Sequence, residues 1–285
     1  MLKFVYTKIP LPISLRHWIS RKIPDHLKRE KHLKKFGVIN DLYFWRTDDQ
    51  IETIAPIQNF YSPLFPNLDT KTKGHVWIWD NQGKLLDDHN FLLSHMGCYE
   101  LNINKLTPKE STGTFMWHIS IPDSVANIPE VEREKIYFTD RGYICFLKNG
   151  VQPIFMHGID RFSTFQKQSL IDFDLFYKHD NNKTWIAEFP LKKSSEIKID
   201  IILINRSMKS RNFTLDFFKN GNIKLLSKNH MAPSKTVIIF TLSKDELSIL
   251  GNDSGYFSIS GIPTPWGRPV IMRHFKNGAM SAMHC

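Results

Sequence analysis

Residues 95–110 read HMGCYELNINKLTPKE, and residues 230–246 read HMAPSKTVIIFTLSKDE. Each segment opens on His-Met, continues through a strand-like run and ends with a Ser or Thr followed three positions later by Glu. That ending is a capping box, in which the hydroxyl and the carboxylate each accept a hydrogen bond from a backbone amide at the start of a helix. The two segments therefore predict the same strand-to-helix unit at two places in one chain.

Further matches extend this repeat on both sides and keep the same order along the chain. They are residues 41–49 with 174–182, Gly113-Thr114-Phe115 with Gly255-Tyr256-Phe257, Ile121-Pro122 with Ile262-Pro263, Lys148-Asn149-Gly150 with Lys276-Asn277-Gly278, and Met156-His157 with Met283-His284. A repeat of well over 100 residues corresponds to a whole domain and not to the unit of a solenoid. The chain of 285 residues is long enough for two such domains.

The hydrophobic period predicts that both domains are built from strands. Apolar and polar residues alternate over residues 99–104, 115–120 and 196–201. Asn-Gly pairs after Lys148, Lys219 and Lys276 are strong hairpin signals. We predict a mainly all-β chain of tandem, duplicated antiparallel β-sandwich or jelly-roll-like domains over residues 41–163 and 164–285, behind a basic helical segment over residues 1–40.

The positive charge of the chain is concentrated in residues 1–40. Residues 1–40 contain ten lysines and arginines against Asp25 and Glu30, a net charge of +8 out of the +10 of the whole chain. The anion-contacting residues that we predict are Arg16, Arg21, Lys22, Lys28, Arg29, Lys31, Lys34 and Lys35. Such a helix favours an anionic membrane surface or an acidic partner, and RNA is the alternative because phosphate attracts the same charges.

Composition also bears on location. The apolar runs are far shorter than the ~20 residues that cross a bilayer, and Pro10 and Pro12 interrupt any signal-peptide core. The three cysteines are an odd, sparse set, which is typical of reduced thiols. The sequence predicts a cytoplasmic protein that is peripheral to the inner face of the membrane.

Histidines are the residues most able to carry chemistry here. Four of the 12 histidines fall at matched places in the repeat: His95 with His230, and His157 with His284. We predict that His95 and His230 contact a ligand, and that His157, His274, His284 and Cys285 are the ligand set for zinc or iron, since imidazole and thiolate suit these metals. The competing interpretation is that retained histidines fill structural positions, and neither the His-x-His nor the paired Cys-x-x-Cys spacing of metal motifs occurs in the chain.

Two tryptophans complete the predicted ligand site. Trp77 and Trp79 lie two residues apart, so they share one face of a strand, and an exposed pair of rings there would stack on a sugar. The alternative is that they fill the core. The resulting function hypothesis is an accessory binding protein with a glycan or lipid-like ligand in an interdomain cleft. A metal-assisted enzyme using the clustered His and Cys residues, and an RNA-associated protein acting through residues 1–40, are the two alternatives.

Overall fold

The computed structural model describes residues 39–120, 122–126, 142–158, 160–163, 186–192, 196–205, 209–219, 223–248, 254–264 and 268–284. These residues are mostly β-structure, with strands joined by tight turns and by three helices of four or five residues. The predicted basic helix lies outside the described residues.

Among the described residues, the first sandwich has nine strands. They are β1 (Ile39–Thr47), β2 (Ile51–Gln58), β3 (Thr72–Asp80), β4 (Leu85–Leu93), β5 (Cys98–Asn102), β6 (Ser111–Ile119), β7 (Tyr143–Lys148), β8 (Ile154–His157) and β9 (Asp160–Ser163). Its helices are α1 (Tyr61–Leu64) and α2 (Asp123–Ala126), with a 3₁₀ turn at Ile103–Lys105.

The second sandwich contains the remaining described strands. They are β10 (Ile186–Lys192), β11 (Glu196–Asn205), β12 (Arg211–Lys219), β13 (Ile223–Ala232), β14 (Thr236–Leu242), β15 (Ser254–Ser260), β16 (Val270–Phe275) and β17 (Met280–His284). Helix α3 (Lys244–Ser248) follows β14.

The two halves have the same antiparallel topology, so the predicted duplication is confirmed. The larger sheet of the first half has the order β4-β3-β6-β1-β9, and the second half repeats its first four strands as β13-β12-β15-β10. The smaller sheet has the order β5-β2-β7-β8, and the second half repeats it as β14-β11-β16-β17. Every pairing within these sheets is antiparallel, as the sandwich prediction requires.

A β-bulge at matching places fixes the register between the halves. The β3–β4 ladder shifts between Ile78 and Trp79, and the β12–β13 ladder shifts between Phe217 and Phe218. Ile78 lies opposite Asp87 and Phe217 opposite Leu226. An extra residue at the same rung of both hairpins is an inherited feature of the scaffold.

This register corrects two of the sequence matches. Four rungs from the bulge, Gly74 lies opposite Phe91 and Phe213 lies opposite His230, so the counterpart of His230 is Phe91 and not His95. The strand that takes the place of β1 in the second half is β10, whereas residues 174–182 lie outside the described part of the chain. The shared His-Met dipeptide suggested that His95 and His230 are equivalent positions. The pairing of strands decides which positions are equivalent, and identity at two residues does not.

Strand β11 joins the two halves because both of its faces are buried. Ile199, Ile201 and Leu203 belong to the core of the second sandwich, whereas Ile202 and Ile204 belong to the apolar cluster of the first. Strand β16 divides in the same way, with Ile271 in the second core and Val270 and Met272 in the first cluster. The unbroken apolar run at residues 201–204 has this cause, since a strand covered on both faces loses its polar alternation.

One of the two predicted capping boxes forms. The Ser243 amide donates to Glu246 Oε2 (2.9 Å), and the Glu246 amide donates to Ser243 Oγ (3.2 Å) at the start of α3. The prediction for the first half is wrong. There the Thr107 hydroxyl donates back to the Ile103 carbonyl (2.9 Å), and Glu110 has a φ of 53°, so no helix follows.

Candidate functional site: an interdomain groove

A groove of about 720 Å³ lies where the two halves meet. The first half contributes the β1–β2 turn, the start of β6 and Lys148, and the second half contributes β11, β14 and the β16–β17 turn. Its lining includes Arg46, Asp48, Asp49, Gln50, Glu110, Thr112, Lys148, Ile197, Lys198, Asp200, Ile239, Thr241, His274, Phe275 and Lys276. The predicted interdomain cleft is therefore present, and most of the side chains that line it are polar or charged.

A buried carboxylate organises the wall of this groove. Asp200 is fully buried and lies on the β11 face that meets the first sandwich. Arg46 Nη1 donates to Asp200 Oδ2 (2.8 Å), and the Thr241 hydroxyl donates to Oδ1 (2.7 Å). His274 Nε2 lies 3.0 Å from Oδ2 and donates to it, because an ionised carboxylate can only accept.

These contacts keep Asp200 ionised. Burial by itself would raise its pKa, but the hydrogen bonds from His274 and Thr241 and the charges of Lys198 and Arg46 outweigh burial. The pKa of Asp200 is held well below its usual range as a result. Removing one partner from a buried ion pair leaves an uncompensated charge, so this cluster holds the two halves in one arrangement.

Arg46 connects the Asp200 cluster to a second carboxylate, Asp48. Its Nε donates to Asp48 Oδ2 (2.6 Å), and Asp48 Oδ1 accepts from the amides of Gln50 and Ile51 (2.9 and 2.8 Å). Burial opposes ionisation of Asp48, yet these hydrogen bonds and the Arg46 charge lower its pKa. The wall is thus pre-formed, whereas Asp49, Gln50, Glu110 and Lys276 stand exposed around the groove.

The tryptophans predicted to stack on a ligand do not line this groove. Trp77 and Trp79 are only 3% and 2% exposed, and they belong to the apolar cluster that also contains Ile202 and Met272 of the second half. The stacking prediction is wrong for this pair, because neither ring presents a face to solvent. The core-filling alternative describes them correctly.

His95 and His230 lie in separate places. His95 belongs to the loop that joins β4 to β5, and its Nδ1 is 3.0 Å from the Thr70 hydroxyl. The ring of His230 packs between Phe213 and Phe240, at centroid distances of 5.4 and 5.1 Å. They do not form one ligand site, and their environments fit structural roles.

His157 and His284 are the matched pair that meets. His284 Nε2 lies 2.9 Å from His157 Nδ1, with the rings nearly perpendicular and their centroids 4.1 Å apart. Each histidine ends the last strand of the smaller sheet in its own half. His157 lies opposite Tyr143, the first residue of β7, and His284 lies opposite Val270, the first residue of β16. The duplication thus places equivalent side chains on either side of the junction.

The four predicted metal ligands are not assembled as one set. His274 lies four residues along β16 from Val270, the residue opposite His284, a distance of about 13 Å along a strand. It is bonded to Asp200 instead. Cys285 lies outside the described residues, and among those described no three His, Cys, Asp or Glu side chains cluster as a metal site would require.

The basic residues predicted to contact anions, from Arg16 to Lys35, also lie outside the described part of the chain. Among the described residues, helices are too short and too polar to span a lipid bilayer.

Comparisons with known proteins find only distant likenesses. No family model matches the chain, and no curated protein matches it. Among solved structures it is similar to a β-glucuronidase from glycoside hydrolase family 2, with a TM-score of 0.19, 10% identity, and coverage of 89% of this chain and 26% of that one. A calcium-binding mutant of Bacteroides uniformis β-glucuronidase 2 gives a TM-score of 0.20, 9% identity, and coverage of 86% and 25%.

A glycosyl hydrolase family 2 member from Bacteroides cellulosilyticus DSM 14838 gives a TM-score of 0.19, 8% identity, and coverage of 86% of this chain and 27% of that one. The chain spans about a quarter of the length of these proteins. At such TM-scores the likeness carries no argument about function, which therefore rests on the site itself.

Sequence reasoning missed the residues that matter most in the groove. Arg46 and Asp200 are 154 positions apart and belong to no motif. One signal was present: Asp200 directly precedes the unbroken apolar run 201–204 of a strand. A carboxylate at such a place must be paired, since burying it alone is costly.

Proposed function

We propose that this protein is a binding protein whose interdomain groove holds a glycan. The observation that carries the proposal is the groove of about 720 Å³, which both halves line with polar and charged side chains beside apolar ones. Its volume lies in the range of pockets that bury small ligands. Its framework residues satisfy one another, so the walls keep their shape without a ligand.

The groups around the groove match a polyhydroxyl ligand better than a lipid-like one. Asp49, Gln50, Glu110 and Lys276 are exposed, and they provide acceptors and donors for sugar hydroxyls. Phe275 and Ile239 also line the groove and are partly buried, which provides a limited apolar surface for the C–H face of a sugar. An acyl chain would require a continuous apolar lining, and the described lining alternates charged and apolar side chains.

Titration calorimetry with defined oligosaccharides tests this proposal. The probes are maltohexaose, cellohexaose, chitohexaose and a hyaluronan hexasaccharide, with oleate as the lipid-like comparison. We expect binding of at least one glycan, and at least a tenfold loss of affinity in Glu110→Gln or Lys276→Met. Glu100→Gln is the matched control, because Glu100 is exposed on β5 and does not line the groove.

Two outcomes would contradict the glycan assignment. One is binding of oleate alone. The other is glycan binding that survives both groove substitutions and is lost in Glu100→Gln.

A further inference from the structure

A second polar cluster lies outside the groove, at the open edge of the first sandwich. Asp87 and His89 are on β4, an edge strand of the larger sheet, and Tyr99 is on β5, an edge strand of the smaller sheet. His89 Nδ1 lies 2.6 Å from Asp87 Oδ2, and His89 Nε2 lies 3.2 Å from the Tyr99 hydroxyl. None of the three residues lines the interdomain groove.

The hydrogen bonds determine which atom carries which proton. An ionised Asp87 only accepts, so His89 Nδ1 carries the hydrogen that it donates to Asp87. Nε2 of the neutral ring then has a lone pair, and the Tyr99 hydroxyl donates to it. A base that is held by a carboxylate and faces a hydroxyl is the arrangement that activates nucleophiles in proteins.

The phenol is also held in place and remains reachable. Its ring stacks on Phe91 with centroids 4.5 Å apart and planes 11° from parallel. Phe91 is buried, whereas the side chains of Asp87 and His89 are 30% and 27% exposed and Tyr99 is partly exposed. The cluster is therefore partly open to solvent at the sandwich edge.

The second half shows that the fold does not need these residues. Counting rungs from the shared bulge, Leu226 takes the place of Asp87 and Lys228 takes the place of His89. Lys228 is bonded to Glu246 Oε1 (2.6 Å) and lies over Phe240, and β14 contains no tyrosine. The same scaffold thus closes this edge with an unrelated set of contacts, so the fold as such does not require Asp87, His89 and Tyr99.

We propose that Asp87, His89 and Tyr99 form a proton relay that makes Tyr99 a nucleophile toward activated acyl esters. The Tyr99 oxygen bonds to the acyl carbon while its proton passes to His89 Nε2, and the alcohol or phenol of the ester leaves as its anion. Asp87 is a positioning residue that holds the ring and stabilises the imidazolium. The product is an O-acyl tyrosine, and His89 then loses its proton to solvent.

The test uses the full chain and p-nitrophenyl acetate. We expect release of one equivalent of p-nitrophenolate and acetylation of Tyr99, located by mass spectrometry of peptides. General-base assistance contributes about 10²–10⁴-fold, so His89→Gln should slow acetylation by at least about 100-fold, and Asp87→Asn should slow it as well.

Two further variants distinguish this chemistry from a structural role. Tyr99→Phe keeps the ring that stacks on Phe91 and should abolish the burst with an unchanged unfolding midpoint. Tyr143, which is 48% exposed, is the reference tyrosine in the same protein, and Tyr143→Phe should leave the burst intact. Acetylation of Tyr99 no faster than that of Tyr143, or a Tyr99 rate that His89→Gln leaves unchanged, would overturn the proposal.

Discussion

Asp200 shows how one residue links two domains. It directly precedes the apolar run 201–204 of β11. Its carboxylate accepts from Arg46 of the other half and from Thr241 and His274 of its own. Burial of a charge is costly, and here each oxygen has partners that offset the cost. The residue therefore specifies how the halves dock as well as how the groove wall is shaped.

We expect Asp200→Asn to lower the free energy of unfolding at pH 7 by about 3 kcal/mol, because it leaves Arg46 and Lys198 beside a neutral side chain. The pKa of Asp200 is lowered in the folded state. Its contribution is thus fully present above the unfolded-state pKa of about 3.9 and is lost as pH falls through the folded-state pKa.

Urea titrations at several pH values measure this effect. The difference between the wild type and Asp200→Asn should shrink only below about pH 4. Asp245→Asn, at an exposed position in α3, is the control and should change stability little. A difference that instead disappears well above pH 4 would mean that a group other than Asp200 controls the contact.

At the scale of elements, the β3–β4 hairpin turn and the connection from β13 to β14 form a second contact between the halves. The Val237 amide donates to the Asn81 carbonyl (2.7 Å), which joins the β3–β4 turn to the start of β14. Gly83 has a φ of 78°, and a Cβ placed there would lie 2.4 Å from the Lys235 carbonyl oxygen. Glycine is required here for two reasons: the backbone is in the left-handed region, and the Lys235 carbonyl of the other half approaches too closely to leave room for a Cβ.

Gly83→Ala should therefore destabilise the protein by about 2–3 kcal/mol, through backbone strain together with the clash. Gly150→Ala is a matched control, since Gly150 has a φ of 77° with no atom within 4 Å of an added Cβ. That variant should lose only about 1 kcal/mol. Thermal and urea unfolding measure both variants. Equal losses of stability in Gly83→Ala and Gly150→Ala would show that the contact at Gly83 adds nothing.

At the scale of the molecule, the halves are one folding unit because they share an apolar surface. Residues 164–285 expressed alone would expose Ile202, Ile204, Val270 and Met272, which the first sandwich covers in the full chain. Large exposed apolar patches promote association. We expect this fragment to aggregate or to bind the dye ANS, as judged by size-exclusion chromatography and fluorescence.

The fragment experiment has a built-in control. Coexpression with residues 1–163 should restore a soluble complex, because the missing surface is then available. A monomeric fragment 164–285 that binds no ANS would contradict the shared interface.

The role of the basic segment stays a prediction that a truncation can test. The full chain should float with vesicles containing phosphatidylserine, and the chain 39–285 should not, because each base near an anionic surface contributes about 1 kcal/mol. Binding should weaken in 0.5 M salt. Flotation that is unchanged by the truncation would refute the membrane prediction, and a leader-dependent gel shift of single-stranded RNA without flotation would support the RNA alternative.

The sequence alone determined the tandem β-architecture, because strand alternation, Asn-Gly turns and order-preserving repeats are local signals that survive duplication. It also located the His157–His284 correspondence, which the strand registers confirm. It did not determine which faces are buried. The spacing of Trp77 and Trp79 is the same for an exposed pair as for a buried pair, and the structure shows that both are buried.

Only the tertiary structure decided the docking of the halves, the groove and the two polar clusters. Arg46 meets Asp200 across 154 residues, and His89 meets Tyr99 across the gap between two sheets. Local sequence patterns carry no information on contacts between residues so far apart. Whether the outer face of a strand is buried depends on the element that packs against it. The physical reason is that hydrogen-bond register and burial are properties of paired elements, whereas periodicity is a property of one.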